Sequence, residues 1–126
     1  MTDATPVVWV EKSPFRVRAE FGEETIVDTT AALVLHELGH GPTYYLPTAD
    51  VRFDLLTSTD RATTCPRKGE ASYWTIRVGD RVAENAVWAY REPIDSCPDI
   101  SDYVAFYWDR MDAWYEDDHK VLSPTT

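Results

Sequence analysis

The chain has 126 residues, 44% of them hydrophobic, with 12 Lys and Arg against 22 Asp and Glu for a formal net charge of −10. That length makes one domain, able to bury roughly two-thirds of its unfolded surface, and the charge repels phosphate backbones and anionic lipids, so neither nucleic acid nor a membrane surface is expected as a partner. An apolar run of transmembrane length is absent, and Met1-Thr2-Asp3-Ala4 lacks the basic and apolar regions of a signal peptide, so the expected location is cytoplasmic.

Residues 1–14 mix small, polar and proline residues and are expected to form a weakly ordered arm, with Val7-Val8-Trp9-Val10 able to dock as an edge strand. The domain proper is expected over residues 15–116. Phe15 to Phe21 alternates apolar and charged residues at period two, and Gly22-Glu23-Glu24 turns the chain into Thr25-Ile26-Val27-Asp28, which predicts a β-hairpin with Arg16, Arg18 and Glu20 on its solvated face. Asp28 to Pro42 contains a literal His36-Glu37-x-x-His40. On a helix this spacing puts both imidazoles on one face to bind zinc, with Glu37 as general base, and Asp28, Thr29 or Thr30 would cap that helix while Gly41-Pro42 would end it. Against a zinc hydrolase stand the brevity of the pattern and the lack of a third ligand at a recognised spacing, His119 being the other histidine. No metal and no cofactor are expected.

Tyr44 to Pro47 and Val51 to Leu56 read as short strands, and residues 57–62 as a polar loop. Polar and reactive side chains then concentrate from Thr63 to Trp74. Pro66 biases Cys65 away from the helical region and Gly69 permits a left-handed turn, so residues 65–69 form a tight loop with Lys68 at its tip, leading into a strand from Ala71 to Val78. Thr64, Cys65 and Lys68, followed by Tyr73 and Trp74, offer donors, a thiol, a cation and stacking faces; the plain alternative is a polar surface turn. Gly79-Asp80 turns the chain into a returning strand, Arg81 to Tyr90, and simple register sets Tyr73 and Trp74 near Trp88 and Tyr90. Pro93 to Pro98 is a loop around Cys97. The two cysteines each precede a proline and lack Cys-x-x-Cys spacing, so free thiols are expected. From Tyr103 to Trp114 the apolar spacing fits a helix slightly better than a strand, and Glu116-Asp117-Asp118 opens a solvated acidic tail through residue 126. Five Trp and seven Tyr are many for this length, so some should line a pocket or an interface, a homodimer among the candidates.

Several of these motifs, in this order, carry a resemblance. Tyr44-Tyr45-Leu46-Pro47, the Thr64-Cys65-Pro66-x-Lys68-Gly69 loop, Ala71-x-Tyr73-Trp74, Glu84 to Tyr90 with its Trp88-x-Tyr90, and Phe106-Tyr107 resemble the bacterial domain of unknown function 427 family from about Arg16 to Trp114. The resemblance implies an all-β domain of coiled antiparallel sheets, like the β-tent of methionine sulfoxide reductase B and of the translationally controlled tumour protein. It also implies extended backbone ahead of Tyr44, a closing hairpin rather than a helix, with a strand at Val104 to Trp108, a turn near Asp109-Arg110 and a second strand carrying Trp114, and Glu37, Lys68 and Glu84 as ionisable residues at positions that the family keeps. Some family labels suggest a nucleotidyltransferase, but this chain has no Gly-Ser opening followed by an Asp-x-Asp pair.

The expected site therefore joins Lys68, Glu37 and Glu84 as catalytic groups in one pocket, with Tyr44, Tyr73, Trp74, Trp88, Tyr90, Thr64 and Cys65 as its substrate-binding surround. A carboxyl and a lysine among aromatic rings have their pKa values pushed toward neutrality, which suits cofactor-independent acid/base or lysine chemistry on a small organic molecule. A non-enzymatic binding or protein-interaction module is the competing class.

Overall fold

A computed structural model describes residues 7–125. Among them are eleven strands and no α-helix: β1 (Val8–Lys12), β2 (Val17–Phe21), β3 (Glu24–Thr29), β4 (Leu33–Glu37), β5 (Thr43–Pro47), β6 (Leu56–Cys65), β7 (Gly69–Val78), β8 (Arg81–Ala89), β9 (Tyr103–Phe106), β10 (Ala113–Glu116) and β11 (His119–Val121). They form a seven-stranded sheet in the order β1-β4-β5-β9-β8-β7-β6 and a four-stranded sheet in the order β11-β10-β2-β3, with antiparallel pairing throughout. The all-β, single-domain, antiparallel expectation holds. No helix among the described residues is long and apolar enough to cross a membrane.

Period-two alternation gives the large sheet two apolar faces. Val34, Tyr44, Leu46, Trp74, Ile76, Val87, Ala89, Val104 and Phe106 pack with Val17, Ala19, Phe21, Ile26, Val27 and Trp114 of the small sheet. Their alternate neighbours Leu35, Tyr45, Tyr73, Tyr90 and Ala105 form a second cluster with Val8, Ala71, Cys97 and Ile100. Each buried large apolar side chain is worth about 1.5–3 kcal/mol, so both faces are held by packing. In the Tyr44-Tyr45 and Tyr73-Trp74 pairs one ring joins the inter-sheet core and the other the second face.

Two irregularities bend the sheet at the centre of β7. Opposite it, β8 has an extra stretch at Asn85, whose φ is +51°, and β6 shifts register between Ser58 and Ala62. Thr59 joins the two, its hydroxyl 2.6 Å from Asn85 Oδ1, and Thr75 Oγ1 accepts the Asn85 N–H at 3.1 Å. Bulges of this kind add local twist and curl a sheet over its own face.

The edge strand allowed for Val7 to Val10 is present as β1, paired with β4 and with Trp9 opposite His36, so the weakly ordered arm does not extend to residues 8–12; residues 1–6 lie outside the described part. Three expectations are corrected. Residues 57–62, read as a loop, belong to β6, which is exposed on the sheet edge and so carries no apolar alternation to announce it. The segments around Val104 and Trp114 are extended but do not pair with each other: β9 joins β5 and β8, while β10 joins β2 and β11. The acidic tail is a hairpin, with Glu116 buried and only Asp117-Asp118 at the turn.

Candidate functional site

The His36-Glu37-x-x-His40 stretch is the end of β4 and a following turn, as the extended reading expected. A strand sends successive side chains to opposite faces, so His36 and Glu37 diverge. His36 stacks on Trp9 with centroids 5.2 Å apart and meets Glu11 at 2.8 Å, whereas Glu37 points to the second face. Helical zinc geometry does not form here.

On the second face Glu37 meets Lys68. The turn after β6 is clamped on both sides: the Lys68 N–H donates to the Cys65 carbonyl at 3.2 Å, and its own carbonyl accepts from the Ile94 N–H at 3.0 Å. Gly69 has φ +118°, as the left-handed turn requires, and a Cβ there would stand 3.3 Å from the Glu92 carbonyl oxygen. This geometry turns Lys68 inward, where it is 8% exposed and donates through Nζ to Glu37 Oε1. Arg67 approaches the same carboxylate at 3.4 Å and donates to the Leu38 carbonyl at 2.9 Å, and His40 lies 3.5 Å from Glu37. Burial alone would raise the Glu37 carboxyl; the bond and charge of Lys68, helped by His40 and Arg67, outweigh it and hold the carboxyl below its ordinary range.

The pair sits in the wall of a cavity of about 580 Å³ whose lining includes Tyr45, Tyr73, Trp88, Tyr90, Thr64, Cys65 and Tyr107. Trp88 Nε1 donates to the Tyr45 hydroxyl at 3.1 Å, and the Tyr73 hydroxyl is 2.8 Å from Thr63 Oγ1. Lys68 Nζ stands 5.5 Å from the Tyr90 ring centroid, and Tyr107 closes one side against Trp88 with centroids 4.7 Å apart. Burial is the main cause that drives the Tyr45 and Tyr90 phenols well above their ordinary value, which keeps them as neutral donors. The cavity thus offers one ammonium, one guanidinium, one carboxylate and a ring of phenol hydroxyls against aromatic walls.

Of the expected residues, the fold brings together Lys68, Glu37, Tyr73, Trp88, Tyr90, Thr64 and Cys65. It leaves three out. Glu84 is exposed beside the Asn85 bulge, in a separate depression with Arg61 and Arg110. Tyr44 faces the inter-sheet core, donating to Glu116 and stacking near Trp108 and Trp114, and Trp74 lies in that core with Phe53 edge-on at 5.9 Å. Sequence reasoning missed Tyr45, Arg67 and Tyr107. Strand alternation sends Tyr73 and Trp74 to opposite faces, and likewise Tyr44 and Tyr45; that signal was available in the sequence, yet the expected site joined Tyr73 and Trp74 in one pocket.

A family model described as Domain of unknown function (DUF427) matches residues 9–117. No curated protein matches the chain.

Proposed function

The chain belongs to the family of that domain of unknown function, and we propose that in this member the Lys68–Glu37 cavity binds a small organic molecule and polarises it by hydrogen bonding. The observation that carries this reading is the buried pair itself: Lys68 at 8% exposure and the Glu37 side chain at 11%, in the wall of a cavity rather than deep in packed core. A buried ion pair costs desolvation that an apolar pair of similar volume would avoid, so its position beside open volume favours a role beyond stability. A carboxyl held below its ordinary range is a weak base, and Lys68 is already committed to it as donor. The chemistry that suits them is therefore electrostatic, with Lys68 and the phenols of Tyr45 and Tyr90 donating to a carbonyl or similar oxygen. Iminium formation is less suited, because a nucleophilic amine would have to leave Glu37 first. The test is titration of a set of small carbonyl compounds followed by the indole N–H resonance of Trp88, in the native protein and in Lys68→Met. The expected result is saturable shifts in the native protein that Lys68→Met removes while its spectrum stays dispersed. Equal shifts in both proteins would contradict the proposal.

A further inference from the structure

The cavity also carries a charge preference, and this step rests on the proposed binding role. The chain as a whole has net charge −10, yet the charged residues of the cavity are Lys68 and Arg67 against Glu37 alone, with His40 at the mouth. Local charge is thus reversed: one formal positive charge in excess, on a chain whose net charge is negative. Arg67 is the group that holds it. Glu37 Oε1 is taken by Lys68, and Arg67 reaches Glu37 Oε2 only at 3.4 Å, its shorter bond going to the Leu38 carbonyl at 2.9 Å. Both contacts use one terminal nitrogen; Nε and the other terminal nitrogen have no hydrogen bond among the described residues. A planar guanidinium with one edge open at a cavity mouth is suited to a planar oxyanion, which it takes by two parallel N–H bonds. The lining also includes Trp88, Tyr107 and Tyr90, which present flat apolar surface.

We infer that the ligand is a small monoanion, a carboxylate on a flat unsaturated or aromatic body, with the carboxylate on Arg67 and the body against Trp88 and Tyr107. A monoanion cancels the single excess charge. A phosphate dianion would overshoot it and leave the cavity negative inside an already anionic protein, so the carboxylate is the better fit.

The test uses benzoate and 2-naphthoate, their neutral amides, benzylamine and phenyl phosphate, each titrated against the full chain by the Trp88 indole resonance. Expected are carboxylates bound at least about ten-fold more tightly than the amides, which is what one charge-assisted bond supplies, with benzylamine weaker still and phenyl phosphate below benzoate. In Arg67→Gln the carboxylate should lose its advantage and bind no more tightly than the amide; Arg67→Lys should restore part of the preference. Carboxylate and amide binding equally in the native protein, or an unchanged ratio in Arg67→Gln, overturns the charge preference and leaves the binding site standing. Tighter binding of phenyl phosphate overturns the choice of carboxylate. If no probe shifts Trp88, the binding role itself fails.

Discussion

Replacing Glu37 by Gln leaves the Lys68 ammonium buried with no anion beside it, whereas replacing Lys68 by Met leaves Glu37 with Arg67 at 3.4 Å and His40 at 3.5 Å. The two losses should therefore be unequal. Glu37→Gln is expected to cost about 3–5 kcal/mol, the usual effect of orphaning a buried charge, and Lys68→Met clearly less; urea denaturation of both variants checks the order. Reversed order would mean that Arg67 and His40 do not support the carboxylate. The same pair has a pH signature. Because the folded Glu37 carboxyl lies below its ordinary value, the pair's stabilisation is fully present above the ordinary glutamate range and is lost as pH falls through the depressed value. Lys68→Met should flatten that part of the acid limb. At Tyr44 the phenol donates to Glu116, which is 4% exposed and otherwise accepts the Thr125 N–H at 2.8 Å. Tyr44→Phe takes one of those donors from a buried carboxylate and should cost about 1–3 kcal/mol without touching the Lys68 cavity, a result that thermal unfolding and the Trp88 resonance read together.

The turn between β6 and β7 is the element on which the site depends. Gly69→Ala would place a Cβ 3.3 Å from the Glu92 carbonyl oxygen at a φ of +118°, a region that costs a non-glycine residue roughly 1–3 kcal/mol. The expected outcome is a loss of that size, accompanied by shifts at Trp88 as the turn moves Lys68; a stable variant with an unchanged Trp88 signal would contradict the role given to this turn. Such a turn was legible from Pro66 and Gly69, because their φ constraints are local. So was the β7–β8 hairpin with its Val78–Arg81 pairing at the Gly79-Asp80 turn; the direct Tyr73–Trp88 pairing was not, because it follows from the register shift in β8, where the turn alone would set Tyr73 opposite Ala86. The Lys68–Glu37 pairing was expected from the resemblance and is present in the fold. The place of Glu84 was not legible, since it depends on extra residues in β8 that are accommodated by Thr59 and Thr75, far apart in sequence. β6 escaped for a different reason: an edge strand polar on both sides has no periodic signal, and only its pairing with β7 reveals it.

For the whole molecule, the two-faced large sheet explains how so many aromatic residues are used. One face closes against the small sheet with Trp74, Phe106 and Trp114, and the other curves over the cavity with Tyr45, Tyr73 and Tyr90. Cys65 and Cys97 both belong to this second face and are free thiols, so titration of denatured, unreduced protein should return two thiols per chain; a value near zero would contradict the structure. The central claim is that the cavity at Lys68 and Glu37 is a ligand site. The most direct measurement is a crystal structure of the protein soaked with its tightest-binding aromatic carboxylate. The account predicts the ring against Trp88 and Tyr107 and an oxygen within about 2.7–3.2 Å of Arg67, Lys68 Nζ or a Tyr45 or Tyr90 hydroxyl. An empty cavity, with the compound bound elsewhere, would contradict it.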